Sequence, residues 1–235
     1  MGNLITTDFH SHILPRADHG SDSLDTSLKQ LKLISENGIK RVVATPHFYP
    51  MSDNVSVFLK RRTECAAKLC GAMTPGDPEV LLGAEVLICE GIERMEGLDN
   101  LTVFGTKTIL LEMPMTKWSD ALFETVDSIS RLGFNAVMAH IDRYDPKYIE
   151  ELMKLDVSAQ LNPDTFFSRK GRKFAAKWLD AGKVVAVGSD LHMANATEYR
   201  AFISACEALG EHAAKVEASM EKLLSGALPA VDQFK

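Results

Sequence analysis

Three of the seven histidines, His10, His12 and His19, fall within ten positions in the stretch TTDFHSHILPRADHG, with Asp8 and Asp18 among them. Imidazole and carboxylate groups are the ligand set of Zn, Mn and Fe(II). Side chains alternate along an extended segment, so His10 and His12 present both rings to one side and can bind one ion. Further along, metal-capable residues recur where apolar runs end: Thr45-Pro46-His47, Glu85, Glu112, His140, Asn162, and Ser189-Asp190 with His192 two residues on. Only His212, in GEHAAK, sits in an evident helix. Any one of these histidines alone reads as an ordinary hydrogen-bonded residue. Glu85 and Glu112 do not, because a carboxylate inside an apolar run without a partner costs several kcal/mol. One polynuclear centre accounts for all of them. There are ligands for two or three divalent ions, and a bridging carboxylate sets ions roughly 3.5–4 Å apart, the spacing of hydrolytic two-metal sites.

The elements that must position these groups are legible as seven apolar runs, near 4–9, 41–46, 79–86, 107–113, 135–140, 157–162 and 184–189. Runs apolar throughout are strands buried on both faces, as in a parallel sheet covered by helices. Helical patterns lie between most of them. Leu24, Leu28, Leu31 and Ile34 share a face that ends at Gly38, and Leu122, Val126 and Ile129 share one that ends at Gly133. Asp145 caps a helix that opens with Pro146 and buries Ile149, Leu152 and Leu155. Phe174 and Trp178 mark another, stopped by Gly182, and two helices close the chain near 196–209 and 211–225. Residues 87–106 lack clear periodicity. The expected fold is α/β, a single-domain distorted TIM-like (β/α)7 barrel over residues 1–235. In such a barrel the C-terminal strand ends face one mouth, where active sites sit.

Composition narrows the function. The 235 residues carry a net charge of −6, which argues against a general nucleic-acid binder. No apolar stretch approaches the ~20 residues of a membrane span. The start lacks a basic segment followed by an apolar one, so no signal peptide is expected. Gly2 and Thr6 fit the myristoylation pattern, yet they lead directly into the first strand. Cys65, Cys70, Cys89 and Cys206 have no metal or redox spacing, which suits a reducing, cytoplasmic setting.

DFHSH, TPH, the GAE glutamate, the strand-end LLE, AHIDRY and SDLH together resemble the polymerase-and-histidinol-phosphatase (PHP) superfamily, and within it the bacterial capsule-associated tyrosine phosphatases. The resemblance implies a distorted barrel holding up to three metals, Mn, Fe or Zn, with Mn favoured. Carried over by position, His10, His12, Glu85 and Asp190 would hold the first ion. Glu85 would bridge to a second, completed by Glu112 and His140. His47 and His192 would hold a third, with a ligand from ADHG, where His19 rather than Asp18 is expected to serve. Arg143 matches an arginine that binds the substrate phosphate, and Arg143, Asp190 and His47 are the expected catalytic residues. Thr197 stands where such phosphatases carry a second arginine, and Arg200, one helical turn on, is the candidate replacement. By resemblance the partner is a phosphotyrosine protein, the tyrosine-rich tail of a capsule or exopolysaccharide kinase.

The expected reaction is hydrolysis of a phosphate monoester by metal-activated hydroxide, for which the site must supply on the order of 20 kcal/mol. A phenol leaving group has a pKa of ~10 and needs less help from a general acid than an alkoxide. The cysteine-dependent route is absent: Cys-x5-Arg fails at all four thiols, Cys89 finding Arg94 one position early. Two loops are candidates for substrate recognition. Residues 47–54 carry Phe48 and Tyr49, and residues 162–173 join Phe166 and Phe167 to four basic residues. The alternatives are a PHP phosphatase for a small molecule such as histidinol phosphate, a TatD- or amidohydrolase-like barrel, and a non-catalytic metal-binding protein that would have no need of Arg143.

Overall fold

The structure is a computed structural model that describes residues 5–234. Gly2, and with it the myristoylation pattern, lies outside the described residues. Strands β1 (Thr7–Ser11), β2 (Arg41–Ala44), β3 (His47–Phe48), β4 (Glu79–Leu82), β5 (Glu85–Leu87), β6 (Thr108–Glu112), β7 (Asn135–Met138), β8 (Ser158–Leu161) and β9 (Val184–Val187) pair in parallel throughout. They form two ladders, β1-β2-β4 and β3-β5-β6-β7-β8-β9. The division is local. β2 and β3 are halves of one run interrupted at Thr45-Pro46, because proline has no N–H for a ladder. β4 and β5 are halves of another, interrupted at Gly83-Ala84. Single main-chain bonds carry the pairing across: Thr45 N–H donates to Ser11 O (2.8 Å) and Glu85 N–H to Pro46 O (3.2 Å). On the far side Asp190 N–H donates to His10 O (2.8 Å) and His12 N–H to Leu191 O (3.0 Å). The exit of β9 therefore runs beside the end of β1. The seven expected strand positions follow one another around a distorted barrel.

Helices α1 (Leu24–Glu36), α2 (Val55–Cys70), α3 (Asp120–Arg131), α4 (Pro146–Leu152), α5 (Arg169–Asp180), α6 (Ala196–Ala208) and α7 (Ala213–Leu223) intervene. The side chains of Ser23, Asn54, Ser119, Asp145, Ser168 and Asn195 each accept a first-turn N–H, a cap worth about 1 kcal/mol apiece. Two expectations need correction. In α1 the buried stripe is Ser27, Gln30, Leu31 and Ile34, while Leu24 is exposed. Leu155 lies beyond the end of α4 and is half-buried. Helix α2 is a further element that periodicity did not reveal. Its buried face, Phe58, Arg62, Cys65, Ala66 and Leu69, has an arginine at its centre. Arg62 donates to Gly83 O (2.8 Å), left over where β4 breaks from β5, and to Asn100 O (3.2 Å) in the 3-10 turn Leu98–Leu101. Residues 87–106 hold two short 3-10 turns, Ile92–Arg94 and Leu98–Leu101.

Candidate metal centre

At the C-terminal ends of the strands the side chains converge on Glu85. His10 Nε2 lies 3.2 Å and His12 Nε2 3.4 Å from Glu85 Oε2, and the same two nitrogens lie 3.6 and 3.2 Å from Asp190 Oδ1. His47 Nδ1 is 3.0 Å from Glu85 Oε2 and 3.8 Å from Glu112 Oε2. His140 Nε2 is 2.7 Å from Glu85 Oε1 and 3.9 Å from Glu112 Oε1. The His192 ring stacks on His12 at 4.0 Å, and the exposed His19 ring stacks on His47 at 4.6 Å and lies 4.8 Å from His192. Four overlapping triads have donor atoms all within 4.8 Å of one another: His10-His12-Asp190, His10-Glu85-His140, His47-Glu85-Glu112 and His12-His47-His192. His19 stands at the edge of the last.

These residues fit divalent cations. His12 Nδ1 is 2.7 Å from Asp18 Oδ2, which fixes the proton there and turns the other nitrogen's lone pair inward. That nitrogen faces His10 Nε2 at 3.2 Å, both residues buried, beside carboxylate oxygens. Glu85 is fully buried, and its Oε2 and the facing His47 Nδ1 have no hydrogen-bond partner among the described residues. Converging lone pairs and a buried carboxylate oxygen are stabilised by shared cations. The titration shifts follow the same crowding. Burial would raise Glu85, but the imidazoles of His10, His12 and His140 hold it well below the usual carboxylate range. Burial would lower His10, but Glu85 and Asp190 raise it. Burial pushes Glu112 up, and the charge on Glu85 adds to that.

Several residues hold this arrangement that the strand-end pattern did not single out. Asp18 accepts from His12 and from the His47 N–H (2.9 Å) with one oxygen and from Gly20 N–H (2.9 Å) with the other. It thus locks His12 to the His47 strand end. Tyr144 Oη accepts from Met113 N–H (3.0 Å) and lies 3.3 Å from His140 Nδ1. Asp8 accepts from Ser189 N–H (2.8 Å) and Tyr199 Oη (3.2 Å), and burial raises it to about 6. His140 and Asp190 are left-handed (φ 31° and 54°), a conformation costing about 1–3 kcal/mol for such residues and held only where neighbours over-determine it. A Cβ at Gly188 would lie 2.4 Å from His10 Cβ, and one at Gly20 2.4 Å from His12 Cβ. Only glycine lets the neighbouring main chain pass so close to the two histidines. Asp8, two before His10, had a visible signal, as did Gln160, a polar residue inside an apolar run whose Oε1 accepts from the His140 N–H (2.9 Å).

Arg143 ends the 3-10 turn Ile141–Arg143, partly exposed, with Nη2 2.6 Å from Asp190 Oδ2. It borders three open cavities of about 430, 390 and 220 Å³. The largest is lined by Asp164, Phe167, Thr197 and Glu198, with Asn162 and Asp190. Arg200 is exposed on α6 and is not among the residues lining these cavities. The recognition loops divide. Phe48 is buried edge-on against Phe58, and Phe166 is buried too, so both belong to the core. Tyr49 stacks on His47 at 5.2 Å, Phe167 is 59% exposed at the largest cavity, and Lys170 lines the second. Arg172 is occupied with Phe166 O (2.9 Å).

A parallel α/β barrel whose strand ends carry a histidine–carboxylate cluster with an arginine at its rim is the layout of metal-dependent hydrolytic barrels. The chain belongs to the capsular polysaccharide synthesis CpsB/CapC family, whose model matches residues 6–225. It is 26% identical over 204 residues to the tyrosine-protein phosphatase CpsB of Streptococcus pneumoniae, covering 79% of this chain and 82% of that protein. It is 25% identical over 202 residues to the tyrosine-protein phosphatase YwqE of Bacillus subtilis, covering 79% and 76%. A solved structure among those of YwqE and CpsB, described as metal-dependent tyrosine phosphatases, superposes with a TM-score of 0.73 at 19% identity over 95% of this chain and 96% of the other. The fold expected from the resemblance is thereby borne out.

Proposed function

We propose that the chain is a metal-dependent phosphomonoesterase acting on phosphotyrosine in a protein. The observation that carries this is the meeting of His10, His12, His47, His140 and Asp190 around the buried Glu85, with Arg143 against Asp190 at the open edge. The names of the relatives CpsB and YwqE supply the substrate class. His10, His12, Glu85 and Asp190 would hold one ion, Glu85, Glu112 and His140 a second, and His47 and His192, with His19 beside them, a third. Mn is the favoured metal, a polysaccharide-export kinase tail the favoured substrate, and the cytoplasm the favoured location.

When bound, such ions supply Lewis acidity and a hydroxide nucleophile at neutral pH. The chain's own residues do the rest. Arg143 offers a planar fork to phosphoryl oxygens as charge builds on them. Asp190 holds that arginine at the rim while its other oxygen faces His12. Asp18 keeps the His12 proton on Nδ1. Burial pushes His192 down to about 4, so its ring stays neutral and able to ligate at physiological pH. Burial and the charge on Glu112 push Tyr49 up to about 12, so its hydroxyl remains a donor beside the site.

A second substrate class has one observation in its favour. Asp164 and Glu198 line the cavity next to Arg143, which suits a small phosphomonoester bearing a cation. Turnover of a phosphotyrosine peptide, para-nitrophenyl phosphate and an amino-alkyl phosphate by the Mn-loaded chain decides between them. The proposal expects the peptide to be preferred, chelation to abolish turnover and a thiol-blocking reagent to leave it intact. Preference for the alkyl phosphate would move the assignment to a small molecule, and activity that survives chelation but not thiol blocking would overturn it.

A further inference from the structure

Strand β8 supplies none of the candidate metal ligands, yet its one fully buried polar side chain, Gln160, touches two of them, the His10 ring and the His140 main chain, and reaches a third, Asp190, through Asn162. We infer that Gln160 is the positioning residue that selects which nitrogen of His10 faces the cluster, and that it orients Asp190 through Asn162. The inference rests on the metal-centre proposal above.

The hydrogen bonds leave one consistent arrangement. A primary amide out of contact with water must use two donors and an acceptor oxygen. Main-chain groups fix which end is which. The His140 N–H can only donate, so the amide atom 2.9 Å from it is Oε1. The Leu161 carbonyl can only accept, so the atom 2.6 Å from it is Nε2. A flipped amide would set N–H against N–H and oxygen against oxygen. With Oε1 placed, His10 Nδ1 at 3.2 Å must carry a proton. The neutral ring then presents the lone pair of Nε2, the atom that lies 3.2 Å from Glu85 and 3.6 Å from Asp190.

The nitrogen end continues the chain. Nε2 of Gln160 donates to Asn162 Oδ1 (2.7 Å), which turns the Asn162 amide so that Nδ2 donates to Asp190 Oδ2 (2.9 Å). The opposite oxygen, Oδ1, is the one facing His10 and His12. A single glutamine thus ties together groups on β1, after β7 and after β9. It also braces two left-handed residues, His140 directly and Asp190 at one remove.

The test uses the full chain loaded with zinc, which is diamagnetic, with 15N-labelled histidine. The inference expects His10 in wild type to show a protonated Nδ1 and a metal-coordinated Nε2. Gln160→Glu, whose carboxylate still accepts from both His10 and His140 but no longer donates to Leu161 O or Asn162, is expected to keep that signature while zinc affinity falls in a chelator competition through loss of the Asn162–Asp190 arm. Gln160→Met, similar in volume but no acceptor, is expected to lose the single signature and about 10–100-fold in affinity. Zinc taken up with His10 in the opposite tautomer, or unchanged affinity in Gln160→Met, would overturn this inference alone. No zinc uptake by wild type would overturn the metal-centre proposal and this inference with it. If Gln160→Met does not fold, the wild-type and Gln160→Glu spectra still decide.

Discussion

Arg143 and Asp18 illustrate two ways in which a residue can matter without being a ligand. Arg143 touches Asp190 through a charged hydrogen bond at the open rim, so its removal leaves the cluster standing. Arg143→Ala is expected to lower kcat/KM on a phosphotyrosine peptide by roughly 10²–10³-fold, as for loss of a transition-state donor, with bound metal per chain unchanged. Loss of metal in that variant, checked by elemental analysis, would contradict its role. Asp18 is the reverse case. Asp18→Ala removes the acceptor from His12 and from the His47 N–H, and metal affinity is expected to fall about 10–100-fold. An unchanged affinity would mean that His12 is oriented by something else. Most of the cluster was legible at this scale because glutamates and histidines at the ends of apolar runs contradict burial unless they share a task. Asp18 was not, because Asp18 and His19 are adjacent and both of ligand type. Only the loop's path shows the carboxylate turning under His12 and the imidazole turning out. Phe48 was misleading for a related reason: an aromatic beside a candidate ligand is as easily core as rim.

At the scale of elements, every strand run in the sequence became a strand position, because runs buried on both faces leave little ambiguity. Helices α1, α3 and α5, whose spaced apolar residues run up to Gly38, Gly133 and Gly182, were equally plain. Helix α2 escaped because Arg62 interrupts its apolar face. That arginine is buried to bind Gly83 O, at the break between β4 and β5, and Asn100 O, in the turn Leu98–Leu101, requirements set by other elements rather than by α2 itself. Arg62→Met keeps the apolar stem and removes both donors. It is expected to destabilise the chain by about 1–3 kcal/mol, the cost of abandoning the buried Gly83 carbonyl, since Asn100 is exposed and its carbonyl can turn to water. The urea midpoint measures this, and a change within 0.5 kcal/mol, about the ordinary surface-substitution effect, would show the arginine to be dispensable.

Across the whole molecule, the barrel brings together residues more than a hundred positions apart, and the bonds from Asp190 to His10 and from His12 to Leu191 close it at the point where the ligands are densest. The expected barrel implies that the last strand lies beside the first, but not that the contact is made by the exit of β9, through an isolated bridge at Ser11 and Leu191 rather than a ladder. Closure and metal binding are expected to support each other. Metal at a thousandfold excess over its dissociation constant adds about 4 kcal/mol of stability if the unfolded chain does not bind it. Chelation should therefore lower the unfolding midpoint as well as remove activity.

The central claim is that cations sit among these side chains, and anomalous scattering from crystals grown with excess manganese tests it most directly. The account predicts peaks bounded by His10, His12, Glu85 and Asp190 and by Glu85, Glu112 and His140. Manganese density confined to other places, or none within reach of Glu85, would contradict it.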